Sequence, residues 1–245
     1  MRRRSFGCFW AVIISLLLPA AGAEAVSLDL SVIPSNGEIN GALFSRTDQT
    51  GQGTGNFESF LRIQANTSES GYNTDGALEF DTKSGIWTHS IKISDIPLLN
   101  FNGIDYREIL LDAGEQGPLG GTNNQLRIDV LDMYLLNAAN ITGYPANFPV
   151  ADRKYTLAGD DQWDSIMLNN IVGNGVSDMF ILIPDSYFTG PNEYFYLYSE
   201  LSLSGGTFEE FGVQVGTDST AVPEPTSLML FGGGLAGAFL RRRRA

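Results

Sequence analysis

The feature that most constrains this chain is a short-range alternation of apolar and polar residues, repeated in about ten separate runs. The runs cover residues 59–64, 78–82, 90–93, 104–112, 126–136, 163–168, 178–183, 193–201 and 210–215. A period of two sends successive side chains to opposite faces of a strand. In residues 194–198, Tyr194, Tyr196 and Tyr198 therefore share one face, and Phe195 and Leu197 share the other. Clusters of Gly, Asn, Ser, Thr and Pro at 50–56, 66–73, 114–124, 173–175 and 204–207 read as turns. Amphipathic runs long enough for a packed helix are lacking; Pro184 to Phe188 reads as one helical turn capped by Asp185 or Ser186. The pattern predicts an all-β chain folded as an antiparallel β-sandwich, jelly-roll-like in its connections. A propeller would need internal repeats of about 40–50 residues, and the sequence has no self-similarity.

Composition narrows the chemistry. The 245 residues suit one domain, or two at most, with enough length for a sizeable core. A formal charge of −13 excludes nucleic acid, whose phosphates need clustered Lys and Arg. One Cys (Cys8) and one His (His89) remove most metal and nucleophile chemistry.

The basic residues are concentrated at the two ends. Arg2, Arg3 and Arg4 precede an apolar run at 6–18, which Pro19 breaks. Ala21-Gly22-Ala23 and Ala23-Glu24-Ala25 then fit the small-x-small cleavage pattern. These are the three regions of a secretory signal peptide, residues 1–25, cut after Ala25 or Ala23 on the general export route. Such a helix is about 20 Å long, short of a hydrocarbon core of about 30 Å. Cys8 lies before the apolar run, which is not a lipidation position. At the other end, residues 221–245 hold Pro223-Glu224-Pro225, an uncharged apolar segment at 226–240, and Arg241, Arg242, Arg243 and Arg244. The apolar segment reads as a short membrane-seeking helix. The Arg cluster reads as a stop-transfer signal held on the cytoplasmic side. The two prolines keep the preceding chain extended, as a protease requires.

Residues 222–244 resemble a PEP-CTERM sorting signal, with its three parts in order. The resemblance implies recognition by an exosortase, a multispanning membrane Cys transpeptidase that cleaves near Pro223-Glu224-Pro225. It implies a Gram-negative host that makes exopolysaccharide, a transient stop in the inner membrane, and a destination at the cell surface or in the extracellular matrix. The same tail type ends some ice-binding proteins, but the mature chain has none of the Thr-x-Thr repeats that a flat ice-binding array favours. A looser similarity links residues 72–76 with 80–82, 105–108 with 110–112, 175–180, and 196–199 with 208–211 to secreted cyanobacterial-type PEP-CTERM proteins. It implies a β-sandwich cargo and brings no catalytic residue with it.

The piece between the two ends, residues 26–220, keeps 8 Lys and Arg against 26 Asp and Glu, a formal −18, and no Cys. Its candidate sites each have a plain alternative. His89 lacks a second His or a Cys for zinc, and the chain has no G-x-S-x-G elbow, so it reads as a half-exposed strand residue. Glu209-Glu210, flanked by Phe208 and Phe211, is the best-placed carboxylate pair for a glycosidase, or else a solvated strand start. Asp160, Asp161 and Asp164 form the densest acidic cluster and suit a structural Ca2+, or else a solvated loop. Asn73, Asp75 and Asp81 form a weaker second cluster. Trp87, Trp163 and the Tyr194-Tyr196-Tyr198 stripe would stack on sugar rings if exposed, or pack across strands if not.

The sequence therefore leads to the expectation of a secreted, non-enzymatic surface or matrix protein without a cofactor, in contact with exopolysaccharide. A carbohydrate-binding module is the alternative, and a polysaccharide-active enzyme the third reading. Calcium at Asp160, Asp161 and Asp164 would stabilise the native state alone. The melting temperature is then expected to be higher in millimolar Ca2+ than in chelator, and an unchanged value rules the site out.

Overall fold

A computed structural model describes residues 27–46, 57–114, 124–158, 165–169 and 177–214. The signal segment with Ala23 and Ala25, the tail with Pro223, Glu224, Pro225 and Arg241 to Arg244, and the loop with Asp160, Asp161, Trp163 and Asp164 lie outside the described residues. The strands, in chain order, are β1 (Ser27–Asp29), β2 (Ser35–Ile39), β3 (Ala42–Arg46), β4 (Phe57–Ile63), β5 (Asn66–Tyr72), β6 (Ile91–Lys92), β7 (Leu98–Phe101), β8 (Ile104–Ala113), β9 (Gln125–Leu136), β10 (Arg153–Thr156), β11 (Ser165–Asn169), β12 (Met179–Pro184), β13 (Tyr194–Gly205) and β14 (Glu209–Gln214).

They form two sheets. One runs β1-β11-β9-β13-β5, with β10 also on β9 and β6 also on β13; it is called sheet A below. The other, sheet B, runs β2-β3-β12-β8-β14-β4, with β7 also on β8. Among the described residues, every strand pairing is antiparallel except β1 with β11. The consecutive strands β4 and β5, β8 and β9, β11 and β12, and β13 and β14 each pass from one sheet to the other. Sheet B therefore holds β4-β14-β8-β12 and sheet A holds β5-β13-β9-β11 in matching order. That is a jelly-roll order, and the all-β sandwich expected from the alternation is the architecture found.

The inward side chains meet in one core that includes Phe44, Phe60, Ile63, Leu111, Ile128, Leu131, Ile181, Phe195, Leu197 and Phe211. Phe60 and Phe195 come from opposite sheets and touch edge to face at 5.9 Å. Two hairpins turn at Asn40-Gly41 and Asn102-Gly103, with all four residues at positive φ. Asn-Gly suits that geometry because its twist matches the flanking strands.

Three local expectations fail for physical reasons. Residues 66–73, expected as a turn, are mostly β5, because backbone pairing with β13 over Asn66–Tyr72 holds a polar segment extended. Residues 78–82, expected as a strand, form a turn in which Thr82 alone bridges to Ile63. The helical turn Asp185–Tyr187 is capped by Pro184, with no side-chain bond from Asp185 or Ser186. The segment 81–89 instead protects an edge. Gln64 N donates to Asp81 O (3.1 Å), Lys83 N to Arg62 O (2.9 Å) and His89 N to Phe60 O (3.0 Å). These bonds occupy the outer side of β4, which would otherwise offer free groups to another chain.

Arg46 is the one cation among the described residues that reaches full burial, at 1% exposure. Its Nη1 donates to Leu30 O (2.9 Å) and Asn169 O (2.5 Å), and its Nε to Asp178 O (3.2 Å). The Asp178 carboxylate lies 3.7 Å from Nη2 and accepts from Ala113 N at 3.0 Å. One guanidinium thus ties the ends of β1, β3, β8, β11 and β12 together. Removing one partner of such a pair strands a buried charge at a cost of about 3–5 kcal/mol. Arg46→Ala is expected to lower the unfolding free energy by about that amount in urea titrations.

Candidate functional site

The outer face of sheet A carries the densest chemistry among the described residues. Strand register sets it out in rows. Tyr196 lies beside Tyr134, which lies beside Arg153. In the next row Tyr72, Tyr198, Asp132 and Thr156 are neighbours. Ser70, Glu200 and Val130 follow. The segment 137–149 covers the first two rows. It is fastened from below, where Tyr196 OH donates to Ala138 O (2.7 Å) and accepts from Ile141 N (3.0 Å). Tyr144 stacks on Tyr198 with ring centres 3.8 Å apart and planes 14° from parallel. Phe148 meets Tyr72, Tyr134 and Tyr196 edge to face at 5.0–5.4 Å.

The phenol oxygens reach carboxylates. Tyr72 OH donates to Glu79, which also accepts from Gly143 N at 2.9 Å. Tyr198 OH donates to Glu200 Oε1 at 2.6 Å. Asp132 Oδ2 lies 3.3 Å from Tyr134 OH, 3.4 Å from Tyr144 OH and 3.4 Å from Arg153 Nη1. Burial pushes the phenols of Tyr72, Tyr134, Tyr144, Tyr196 and Tyr198 above their ordinary value. Glu79 adds to this for Tyr72, Asp132 and Tyr134 for Tyr144, and Glu200 for Tyr198. The Tyr72 bond in turn holds the Glu79 carboxyl below its ordinary value.

At the edge of this layer stands Phe80. Its φ of 59° lies in the left-handed region, which costs a bulky residue about 1–2 kcal/mol. The residue is 53% exposed. Asp81 pins it in place, because Asp81 N donates to Ser70 O (3.0 Å) and Asp81 Oδ2 accepts from Ser70 N (2.9 Å). The alternation offered no signal for Phe80, since it placed this residue inside a strand.

The residues singled out from sequence separate into different places. Tyr196 and Tyr198 are buried by cross-strand and loop packing, so the stripe is not an open stacking surface, and Tyr194 is half-buried. Trp87 stays 39% exposed, with the Arg62 guanidinium 3.8 Å from its ring centre and 4.4 Å from that of Phe208. Glu210 forms an ion pair with that same Arg62. Glu209 points the other way, into the sandwich, and is fully buried. The two carboxylates therefore face opposite sides of β14 and do not flank a common bond. His89 is half-buried in the segment before β6, not within a strand, and its Nδ1 lies 3.2 Å from Ile86 O.

Asn73, Asp75 and Asp81 do not converge. Asn73 clamps β13 through Phe195 O (2.9 Å) and Leu197 N (2.7 Å). Asp75 accepts from Ser90 N and Oγ, both at 2.8 Å, and Asp81 serves Ser70. Among the described residues no group of three or more His, Cys, Asp or Glu is arranged to hold a metal. Glu108, which the sequence reading passed over, has its carboxyl pushed up to about 7 by burial alone. Its neighbour across the pairing with β12 is Leu182.

Residues 221–244 match the family model for the PEP-CTERM protein-sorting motif. The chain carries a PEP-CTERM sorting motif. The motif implies exosortase-dependent secretion and a surface or extracellular destination. No curated protein and no solved structure matches the chain.

The raised phenols generate a pH prediction. A group whose folded pKa exceeds its unfolded value stabilises fully below the unfolded value, about 10 for tyrosine, and loses that contribution as pH rises further. Tyr72, Tyr134, Tyr144, Tyr196 and Tyr198 are expected to resist ionisation above about pH 10, followed by ultraviolet phenolate absorbance, until the domain unfolds. Smooth titration of all nine tyrosines near the free value would contradict the packing described.

Proposed function

We propose that this PEP-CTERM protein is a non-enzymatic component of the cell surface or extracellular matrix of a Gram-negative bacterium, associated with exopolysaccharide. The observation that supports this most is the pairing of a sorting motif with a β-sandwich whose candidate carboxylates Glu209 and Glu210 are committed to opposite faces. A signal peptide at residues 1–25 would start export. The Arg cluster and the apolar segment would then hold the chain in the inner membrane while Pro223-Glu224-Pro225 is presented to the exosortase. The domain released is compact and free of Cys, which suits an external medium because no thiol is left to oxidise.

A carbohydrate-binding role is the second reading. The exposed Phe80 favours it over a purely structural one.

The tail mechanism has a direct test. Mass spectrometry of the exported protein is expected to find the C-terminus near Pro223-Glu224-Pro225, with residues 226–245 gone. Replacing Arg241, Arg242, Arg243 and Arg244 together by Gln is expected to yield product that still carries the tail. The same C-terminus in wild type and variant would sink the stop-transfer role of the cluster.

A further inference from the structure

Five residues other than glycine have positive φ among the described residues: Asn40, Thr67, Phe80, Asn102 and Leu203. The fold accounts for four of them. Asn40 and Asn102 begin Asn-Gly hairpin turns. Leu203 is the extra residue where the register of β13 shifts between Ser202 and Ser204, and Thr67 lies opposite that shift. Phe80 belongs to no hairpin turn and no strand. A left-handed backbone favours Gly or Asn, and an exposed position favours a polar residue. Phe80 goes against both preferences, and its neighbour Asp81 fastens it with two bonds to Ser70. Strain held rigidly in this way marks a place where something other than stability is served.

The surroundings indicate what the ring would meet. Phe80 stands edge to face to Tyr198 at 5.9 Å, to Tyr72 at 6.2 Å and to Tyr144 at 6.4 Å. Tyr198 is itself buried and donates its hydroxyl to exposed Glu200, and Ser70 lies across the strand pairing from Glu200. An exposed apolar side chain is therefore linked through Tyr198 to an exposed carboxylate. A pyranose has the matching arrangement, with C–H groups on one face and hydroxyls around the rim. An ionised carboxylate accepts several hydroxyl bonds at once, and Tyr198 uses one of these capacities on Glu200. The corner is also strongly acidic, with Glu79, Asp81 and Glu200 around it. Anionic sugars would be repelled there.

We propose that the corner formed by Phe80 and Glu200 on the outer face of sheet A, with buried Tyr198 holding it from beneath, binds the sugar rings of an uncharged polysaccharide. The inference deepens the reading of the protein as a partner of exopolysaccharide and rests on it. Its failure would remove the binding site and leave sorting untouched.

Affinity electrophoresis of the exported protein tests it, in gels containing galactomannan, xylan or a β-glucan, with alginate as the anionic comparison. Retardation by at least one uncharged polymer and none by alginate is expected. Phe80→Ala is expected to weaken that binding about tenfold or more, and Glu200→Gln to weaken it less. Phe80→Gly separates recognition from folding. Glycine suits the left-handed backbone, so the melting curve is expected to stay cooperative while binding is lost. The C-terminal mass of each exported variant is expected to match wild type, which keeps a lost site distinct from failed sorting. No retardation by any uncharged polymer, undiminished binding by Phe80→Gly, or a preference for alginate would each overturn the proposal.

Discussion

Strand β13 is packed on both of its faces along its first half, and much of the molecule is arranged to satisfy it. Phe195, Leu197 and Leu201 enter the core between the sheets, while Tyr196 and Tyr198 turn outward and are buried as well. A strand covered on one side only would leave those tyrosines to water. Their burial requires the segment 137–149 on top, and that segment needs partners for its own backbone groups. Tyr196 OH supplies two of them and Glu79 a third. Asn73 reaches beneath and bonds to β13 itself on both sides of Tyr196. The polar atoms in this layer are mostly paired with one another, as burial demands.

That double packing explains where the sequence was legible. The period of two correctly assigned Phe195 and Leu197 to one face and the three tyrosines to the other, because side-chain direction depends on the strand alone. It also located the longer strands β8, β9 and β13, whose aliphatic content leaves no other structure competitive. It did not reveal which face would be covered, since the cover comes from a segment rich in turn residues with no period of its own. It missed β5, where Asn66 to Ser70 are polar and pairing with β13 decides the conformation. It placed a strand at 78–82 because Leu78, Phe80 and Thr82 alternate with Glu79 and Asp81. Backbone bonds from Asp81 to Ser70 overrode that local pattern. The error falls on Phe80, where local preference and adopted structure disagree most, which is the usual mark of a specialised position.

The sorting motif was legible for a different reason. A tail is read by another protein along an extended chain, so its order of parts is written directly in sequence. A surface site on a sandwich is assembled from residues far apart in the chain. Phe80 and Tyr144 lie far in the chain from each other and from the Tyr198–Glu200 pair of β13, and only strand register and the covering segment bring them together.

Charge completes the argument about partners. The domain has eight Lys and Arg against 26 carboxylates. Six of the eight, Arg46, Arg62, Lys92, Arg107, Arg127 and Arg153, lie in ion pairs with the domain's own acids. Lys154 donates to Thr189 O at 2.7 Å. Little cationic surface is left over, and the domain's net charge is strongly negative. Such a charge keeps copies apart and raises the local concentration of cations. It also disfavours close approach to a polyuronate or a sulfated polymer, and screening over about 8–10 Å at moderate salt does not remove repulsion at contact. A surface of this kind meets an uncharged polymer without electrostatic cost, provided that an apolar face and hydroxyl acceptors lie side by side. Among the exposed aromatics of the described residues, Trp87 has Arg62 against its ring, whereas Phe80 is exposed and meets Tyr198, whose hydroxyl holds the exposed Glu200.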